Sequence, residues 1–209
     1  MSMEEALDQY RQGNYAGALA SWLPLAESGD ADSQAWIGTL YESGSGVDVS
    51  DAEAFNWYLR SAKGGNRLAQ NNVGAMYGMG KGVGRDFAEA AKWLERAADQ
   101  GDTHAMFNLA VFYMKGRGVV QNAETSLSWY RRAAQLGHTP SQARIGYLYC
   151  GNDGVGKNRV EAFVWLTLAA NHGAGHALNA LEPVMDQMSV EEKQEAQARL
   201  GAFVNRRAA

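Results

Sequence analysis

Apolar residues recur with a period of 36 residues along most of the chain, and each period carries two helical stripes. In the first copy Ile37 and Tyr41 share one face of a helix, and Trp57 and Tyr58 belong to a second helix. Between the two helices stands Gly44-Ser45-Gly46-Val47, a segment typical of a turn. A fixed period of this length predicts stacked two-helix units, because a single unit cannot bury its apolar face alone.

Four copies of this pattern follow one another without insertion or deletion. We therefore predict repeats at residues 30–65, 66–101, 102–137 and 138–173. The shared positions are a small residue and a tyrosine in the first helix, a tryptophan in the second helix and a closing glycine: Gly38, Gly74, Ala110 and Gly146; Tyr41, Tyr77, Tyr113 and Tyr149; Trp57, Trp93, Trp129 and Trp165; Gly65, Gly101, Gly137 and Gly173.

Each shared position predicts a local structure. Glycine inside a helix costs about 1 kcal/mol relative to alanine, so Gly38 and its equivalents indicate that a second-helix side chain presses on the backbone there. That side chain is the tryptophan or the residue after it, and we assign the four tryptophans to the core. The turn opens with glycine in three copies and with Asn152 in the fourth, which favours a left-handed backbone. Asn66 and Asp102, directly after closing glycines, are predicted helix N-caps.

The two ends of the chain depart from the period. For residues 3–29 we predict an incomplete first unit, a half-turn that resembles a tetratricopeptide unit. It comprises a short helix over 4–12 and a second helix over 15–28. After Gly173 the pattern fades, and Ser189 with Glu192 forms a candidate capping box that opens a helix over 190–205. We predict that residues 174–209 cap the array and that 1–209 is a single domain.

The repeated pattern resembles the Sel1-like repeat family, a relative of the tetratricopeptide repeat. The resemblance implies an all-α fold, a right-handed α/α superhelical solenoid of stacked helical hairpins, whose first helices line a concave groove that binds proteins or peptides. In the second copy it is carried by Ala69, Val73, Gly74, Tyr77, Gly80, Gly82, Val83, Asp86, Ala90, Trp93, Ala97, Ala98 and Gly101.

Given that geometry, the first-helix residues outside the shared pattern are the candidates for binding a partner. An asparagine carboxamide can donate to a peptide C=O and accept from a peptide N–H. Lys115 and Arg144 suit a carboxylate, and Phe107 with the methionines suits apolar side chains. The alternative, that Asn71, Asn72 and Asn108 only solvate a surface helix, stays open. The candidate groove residues are Trp36, Asn71, Asn72, Met79, Phe107, Asn108, Met114, Lys115, Arg144 and Tyr147.

Composition narrows the function classes. A net charge of −4 argues against a nucleic-acid partner, and no apolar run reaches the roughly 20 residues that span a bilayer. The single cysteine, Cys150, rules out an intramolecular disulfide framework, whereas some relatives carry a cysteine pair in each repeat. We therefore expect a cytoplasmic protein. The alternative is a periplasmic or secreted one, if a signal preceded Met1.

No candidate catalytic or cofactor site emerges. The glycine-rich stretch 78–84 lacks the GK[ST] ending of a phosphate loop and coincides with a repeat turn. His172 and His176 have metal-ligand spacing, but glycines separate them and no third ligand is apparent. We predict a non-enzymatic bacterial scaffold or adaptor without cofactor or metal, a monomer or weak homo-oligomer that binds a protein or peptide. The alternative is an envelope or secreted factor that acts on cell-surface material, with hydrolytic activity.

Overall fold

The computed structural model describes residues 2–151 and 155–208, with side chains up to Phe203. Every regular element in these ranges is an α-helix, which confirms the all-α prediction. The helices are α1 (Met3–Arg11), α2 (Tyr15–Glu27), α3 (Ala31–Ser43), α4 (Asp51–Lys63), α5 (Arg67–Met79), α6 (Phe87–Asp99), α7 (Thr103–Lys115), α8 (Ala123–Gln135), α9 (Thr139–Cys150), α10 (Arg159–Asn171), α11 (Ala177–Asp186) and α12 (Val190–Ala208).

The chain divides into two compact units. The first unit comprises Met1–Asn108 with Arg117–Val119, and the second comprises Leu109–Gly116 with Val120–Ala209. In the first unit the pairs α1/α2, α3/α4 and α5/α6 form hairpins, and each hairpin packs on the next through α2/α3 and α4/α5. In the second unit α9 packs between α8 and α10, and α10 also contacts α11 and α12.

The small residue of the first helix marks the closest approach inside each hairpin. A Cβ atom added at Gly38 would lie 2.7 Å from a Tyr58 ring carbon, and one added at Gly74 would lie 2.7 Å from Leu94 Cγ. Both distances are shorter than any ordinary carbon–carbon contact. The predicted close approach is therefore confirmed, and the residue after the tryptophan makes it.

The tryptophans are less uniformly buried than predicted. Trp93 and Trp165 are 7 % exposed and belong to the core. Trp57 and Trp129, in contrast, are only half-buried, so assigning all four to the core was wrong for these two. Trp57 nevertheless packs against the buried cluster that includes Trp22 and Ile37.

An arginine three residues later covers the indole in three of the repeats. The guanidinium carbon lies 4.8 Å from the ring centroid of Trp57, 4.5 Å from that of Trp93 and 5.1 Å from that of Trp129. Such cation–π contacts contribute about 0.5–1 kcal/mol at exposed sites. In the last repeat, Phe203 of α12 packs edge-on against Trp165 with ring centroids 5.6 Å apart. The C-terminal helix thus adds an apolar contact to the last indole.

The turns of the first three repeats carry two left-handed glycines each. The opening glycines Gly44, Gly80 and Gly116 have φ of 71°, 74° and 63°, which confirms the predicted left-handed backbone. Asn152, in the fourth turn, lies outside the described residues. The next glycine but one is equally constrained: Gly82 has φ of 70°, and a Cβ there would run into the backbone carbonyl of Asp51. The second turn therefore rests on the start of α4, in the preceding hairpin.

Both predicted terminal features have the expected local structure. Gly13 has φ of 79° and separates α1 from α2. At the other end, Glu192 N–H donates to Ser189 Oγ over 3.2 Å, and Ser189 N–H donates to Glu192 Oε2 over 2.8 Å. The predicted capping box is therefore confirmed, and α12 begins at Val190.

We expect Gly82→Ala to lower the free energy of unfolding by about 2–4 kcal/mol. Alanine at positive φ costs roughly 1–2 kcal/mol, and the clash with the Asp51 carbonyl adds to that cost. Urea unfolding followed by helical circular dichroism measures the change. Gly84→Ala is the matched control, since a Cβ at Gly84 meets no atom within 4 Å. Equal stability of the two variants would contradict the proposed contact.

Candidate binding surface on the first helices

A cavity of about 190 Å³ opens between α3 and α5 in the first unit. Tyr58 of α4 is among its lining residues and is almost fully buried. Because both apolar and polar side chains line the cavity, it can receive an apolar group of a ligand. It can also hydrogen-bond the polar groups of the ligand next to that apolar group. The lining residues are Asp32, Ala35, Trp36, Thr39, Tyr58, Asn66, Leu68, Ala69 and Asn72.

Helix caps hold the mouth of this cavity in place. Asp30 accepts from Ser33 N–H over 2.7 Å and starts α3, and Asn66 accepts from Ala69 N–H over 2.8 Å and starts α5. The predicted cap at Asn66 is thereby confirmed. The amide of Asn66 also donates to Asp32 Oδ1 over 2.7 Å and so joins the first turns of the two helices.

Several polar contacts around this cavity involve the hydroxyl of Tyr58. It donates to Glu42 Oε2 over 2.9 Å and lies 3.1 Å from Thr39 Oγ1, and the side chain of Asn72 also hydrogen-bonds it. Burial raises the pKa of Tyr58 above its usual value, and the nearby Glu42 carboxylate raises it further. The hydroxyl therefore stays protonated and keeps its hydrogen bond to Glu42.

Three of the predicted groove residues contact a residue 14 positions earlier, on the preceding second helix. Trp36 stacks on Trp22 with ring centroids 5.4 Å apart, and Asn72 hydrogen-bonds Tyr58. In the second unit, Arg144 hydrogen-bonds Tyr130 in the same way. One side of each residue therefore helps to join consecutive hairpins, and only the remainder can meet a partner.

The other candidates of the first unit form a second polar contact and two apolar ones. Asn108 Nδ2 donates to Asn71 Oδ1 over 3.3 Å, and both side chains are half-buried. Phe107 is half-buried, whereas Met79 is 64 % exposed at the end of α5. The structure therefore places Trp36 and Asn72 at the cavity and joins Asn71 to Asn108.

The remaining candidates lie in the second unit. Met114 is half-buried, and Lys115 is exposed. The hydroxyl of Tyr147 donates to the backbone carbonyl of His176 over 3.0 Å, and its ring stacks on the His176 ring with centroids 6.3 Å apart. This contact occupies the hydroxyl of Tyr147 that the sequence left available for a partner.

The described parts of the chain show neither a metal-ion site nor a membrane-spanning helix. No three His, Cys, Asp or Glu side chains there converge on a point that could hold a metal ion. His172 Nδ1 instead lies 2.8 Å from Gln142 Oε1. Over the same residues, every helix is too short or too polar to cross a bilayer.

Sequence reasoning missed Asp32, Tyr58 and Leu68 as cavity residues. Tyr58 is a packing position of the repeat, and only the packing of α4 on both α3 and α5 brings it to the cavity. Leu68 had one available signal, because a leucine at the second position of α5 lies away from the apolar stripe and is 58 % exposed.

A family model described as Sel1 repeat matches residues 31–66, 67–102, 103–138 and 139–173. A Sel1 repeat protein from Oxalobacter formigenes is 31 % identical with a TM-score of 0.80, over 86 % of this chain and 74 % of that one. A protective antigen of uropathogenic Escherichia coli with an SLR fold is 31 % identical with a TM-score of 0.82, over 93 % of this chain but only 43 % of its own length. An immunity protein of Pseudomonas aeruginosa shares the fold at 17 % identity, with a TM-score of 0.56 over 96 % of this chain and 80 % of that one. No curated protein matches the chain.

Burial of the Tyr58 hydroxyl makes the free energy of unfolding depend on pH in the alkaline range. Its folded-state pKa lies above the usual value of 10.0, so its contribution is complete below pH 10 and is lost as the pH rises through the folded-state pKa. We expect the free energy of unfolding to fall above pH 10, and to fall less steeply in Tyr58→Phe. Burial also raises the pKa of Tyr130 and Tyr149, so some slope remains. Urea unfolding at a series of pH values gives both slopes, and identical slopes would show that Tyr58 titrates normally.

Proposed function

Because this chain belongs to the Sel1 repeat family, we propose that it is a non-enzymatic scaffold or adaptor that binds an extended segment of a protein partner along α3 and α5. Sel1 repeats commonly mediate protein–protein interactions. The observation that carries the proposal is the cavity between the two first helices, with Trp36 and Leu68 beside Asp32 and Asn72.

The size of the cavity favours a single side chain as its occupant. Sites for drug-sized ligands and cofactors occupy about 300–1,000 Å³, whereas this cavity measures about 190 Å³. Trp36, Leu68 and Ala35 supply apolar surface around it, and the exposed face of Leu68 would be covered by a bound segment. An apolar anchor residue of the partner fits this environment, in the manner of the buried anchors of other interfaces.

The polar residues around the cavity suit the backbone of that segment. A carboxamide offers two donors and two acceptor lone pairs, and Tyr58 engages only part of this capacity in Asn72. Asn71 and Asn108 provide a second carboxamide pair on α5 and α7. These residues can hydrogen-bond an extended peptide without regard to its side chains, while the cavity selects the anchor.

Charge adds a preference for the flanking residues of the partner. Asp32 lines the cavity and is exposed, and its hydrogen bond from Asn66 is with a neutral amide. A lysine or arginine next to the apolar anchor would therefore gain a favourable electrostatic contact at the mouth. Glu42, in contrast, is already paired with Lys81 over 3.0 Å.

We further propose that the protein acts in the cytoplasm as a monomer or weak homo-oligomer. The single cysteine suits a reducing compartment, because it leaves no pair for an intramolecular disulfide. The groove residues of the second unit, Met114, Lys115, Arg144 and Tyr147, remain candidates for additional contacts with the partner.

We expect the double variant Leu68→Ser/Asn72→Ala to weaken peptide binding by about 2 kcal/mol, roughly thirtyfold in Kd. The probes are peptides selected on the intact protein from a displayed random library, and fluorescence polarisation measures their affinity. Leu136→Ser is the matched control, since Leu136 is 58 % exposed like Leu68 but lies at the end of α8. Peptides that bind the double variant and the native protein equally would refute this surface.

A further inference from the structure

A second cavity, of about 240 Å³, lies wholly within the second unit, where the start of α10 meets α9 and α11. It shares no residue with the surface between α3 and α5. Its lining combines a hydrocarbon wall with a cationic rim. The lining residues are Tyr149, Cys150, Lys157, Arg159, Ala162, Ala180, Pro183, Val184 and Gln187.

Among the described residues, the charged groups of the lining are all cations. Lys157 and Arg159 line the cavity, and no described aspartate or glutamate does; Asp153 lies outside the described residues. The first turn of α10 adds a partial positive charge, since the amide groups of a helix N-terminus point outward there. One of these amides is capped by a side chain, through the 3.0 Å hydrogen bond from Glu161 N–H to Asn158 Oδ1. The rim therefore attracts an anion.

Among the described residues, Arg159 forms one ion pair, with Glu192, and Lys157 contacts only a neutral amide. The Nε of Arg159 is buried without a hydrogen-bond partner, and its Nη1 lies 3.5 Å from Glu192 Oε1, at the limit of a hydrogen bond. Lys157 Nζ lies 3.4 Å from Gln187 Oε1, which is a similarly long contact to a neutral group. The Arg159 side chain is 37 % exposed, so its other atoms remain accessible to a ligand oxygen.

Four further lining residues form an apolar wall. Ala162 of α10 and Ala180, Pro183 and Val184 of α11 present aliphatic surface to the cavity. An inorganic anion would leave this wall in contact with water, whereas a hydrocarbon group would cover it at a gain of about 25 cal/mol per Å². The volume is below the range of drug-sized sites, which limits that group to a few carbon atoms.

We propose that this cavity binds a small aliphatic monocarboxylate, with the carboxylate at Lys157 and Arg159 and the hydrocarbon against Ala180 and Val184. Two sources offer this chemistry: a free short-chain branched acid, and the C-terminal residue of a peptide that ends in an aliphatic side chain. Guanidinium and carboxylate groups match in a two-bond geometry, which gives preference to a carboxylate over a neutral amide of the same shape.

Cys150 supplies a direct readout, because the only cysteine of the chain lines the cavity and is half-buried. Burial raises the pKa of its thiol, so alkylation is followed at about pH 9, where more thiolate is present. The probes are 4-methylpentanoate, N-acetyl-leucine and N-acetyl-leucinamide. We expect both acids to slow the alkylation in a saturable manner below about 10 mM, and the amide to have no effect.

The relative affinities of the two acids identify the source. Tighter binding of N-acetyl-leucine indicates a peptide C-terminus, and tighter binding of 4-methylpentanoate indicates a free acid. Equal protection by the amide, or no protection by either acid, would overturn the assignment.

Two variants test the two halves of the cavity. Arg159→Met keeps the aliphatic stem and removes the charge, and we expect it to weaken binding of the acids at least about tenfold. Ala180→Leu fills the hydrocarbon wall, and we expect it to abolish protection while Arg159 is intact. Arg132→Met is the matched control, since Arg132 lies over the Trp129 ring on α8 and is not among the lining residues. Isothermal titration measures each affinity, helical circular dichroism verifies folding, and native affinity in either cavity variant would refute the proposal.

Discussion

The structure depends on one close contact, in which a side chain of the second helix packs directly against the backbone of a glycine in the first helix. Tyr58 meets Gly38, Leu94 meets Gly74, and Leu166 would lie 2.6 Å from a Cβ at Gly146. A side chain at any of these glycines would push the two helices of its hairpin apart. The helix propensity lost at glycine, about 1 kcal/mol, is small beside the apolar burial that this approach permits around residues such as Ile37 and Val73.

The same contact explains where the polar chemistry of the first unit is found. Once a hairpin closes tightly, the residue on its second helix also reaches the next first helix. Trp22 thus stacks on Trp36, and Tyr58 hydrogen-bonds Asn72. In these two pairs the residues 14 apart are matched in kind, aromatic with aromatic and hydroxyl with carboxamide. The candidate surface and the junction between hairpins are consequently made by the same side chains, and changes at Trp36 would affect both.

The two cavities differ in charge although both arise beside first helices of the repeat. Asp32 lies at the cavity of the first unit, and Lys157 with Arg159 lies at that of the second. The pattern of the repeat constrains the buried positions but leaves the starts of its helices variable, so each unit can acquire its own ligand preference. A repeat array can in this way hold chemically distinct sites without altering its core.

Much of the fold was readable from the sequence, because periodic patterns report local geometry. The hairpins follow from the apolar stripes, the left-handed turns from Gly44 and Gly80, and the last helix from Ser189 and Glu192. The candidate site was readable only in part. Trp36 and Asn72 were identified because they break the shared pattern, yet their intramolecular partners Trp22 and Tyr58 were not.

What the sequence by itself determined was therefore the set of elements and the positions that must be small, aromatic or left-handed. These properties depend on neighbours within one repeat, and a fixed period displays them four times. Tertiary structure alone decided which indoles stay half-exposed. It also decided which hydroxyls form hydrogen bonds inside the protein, as Tyr147 does with His176, and that Arg159 Nε has no acceptor among the described residues. Those outcomes depend on the distance between side chains far apart in the chain, which no local pattern encodes.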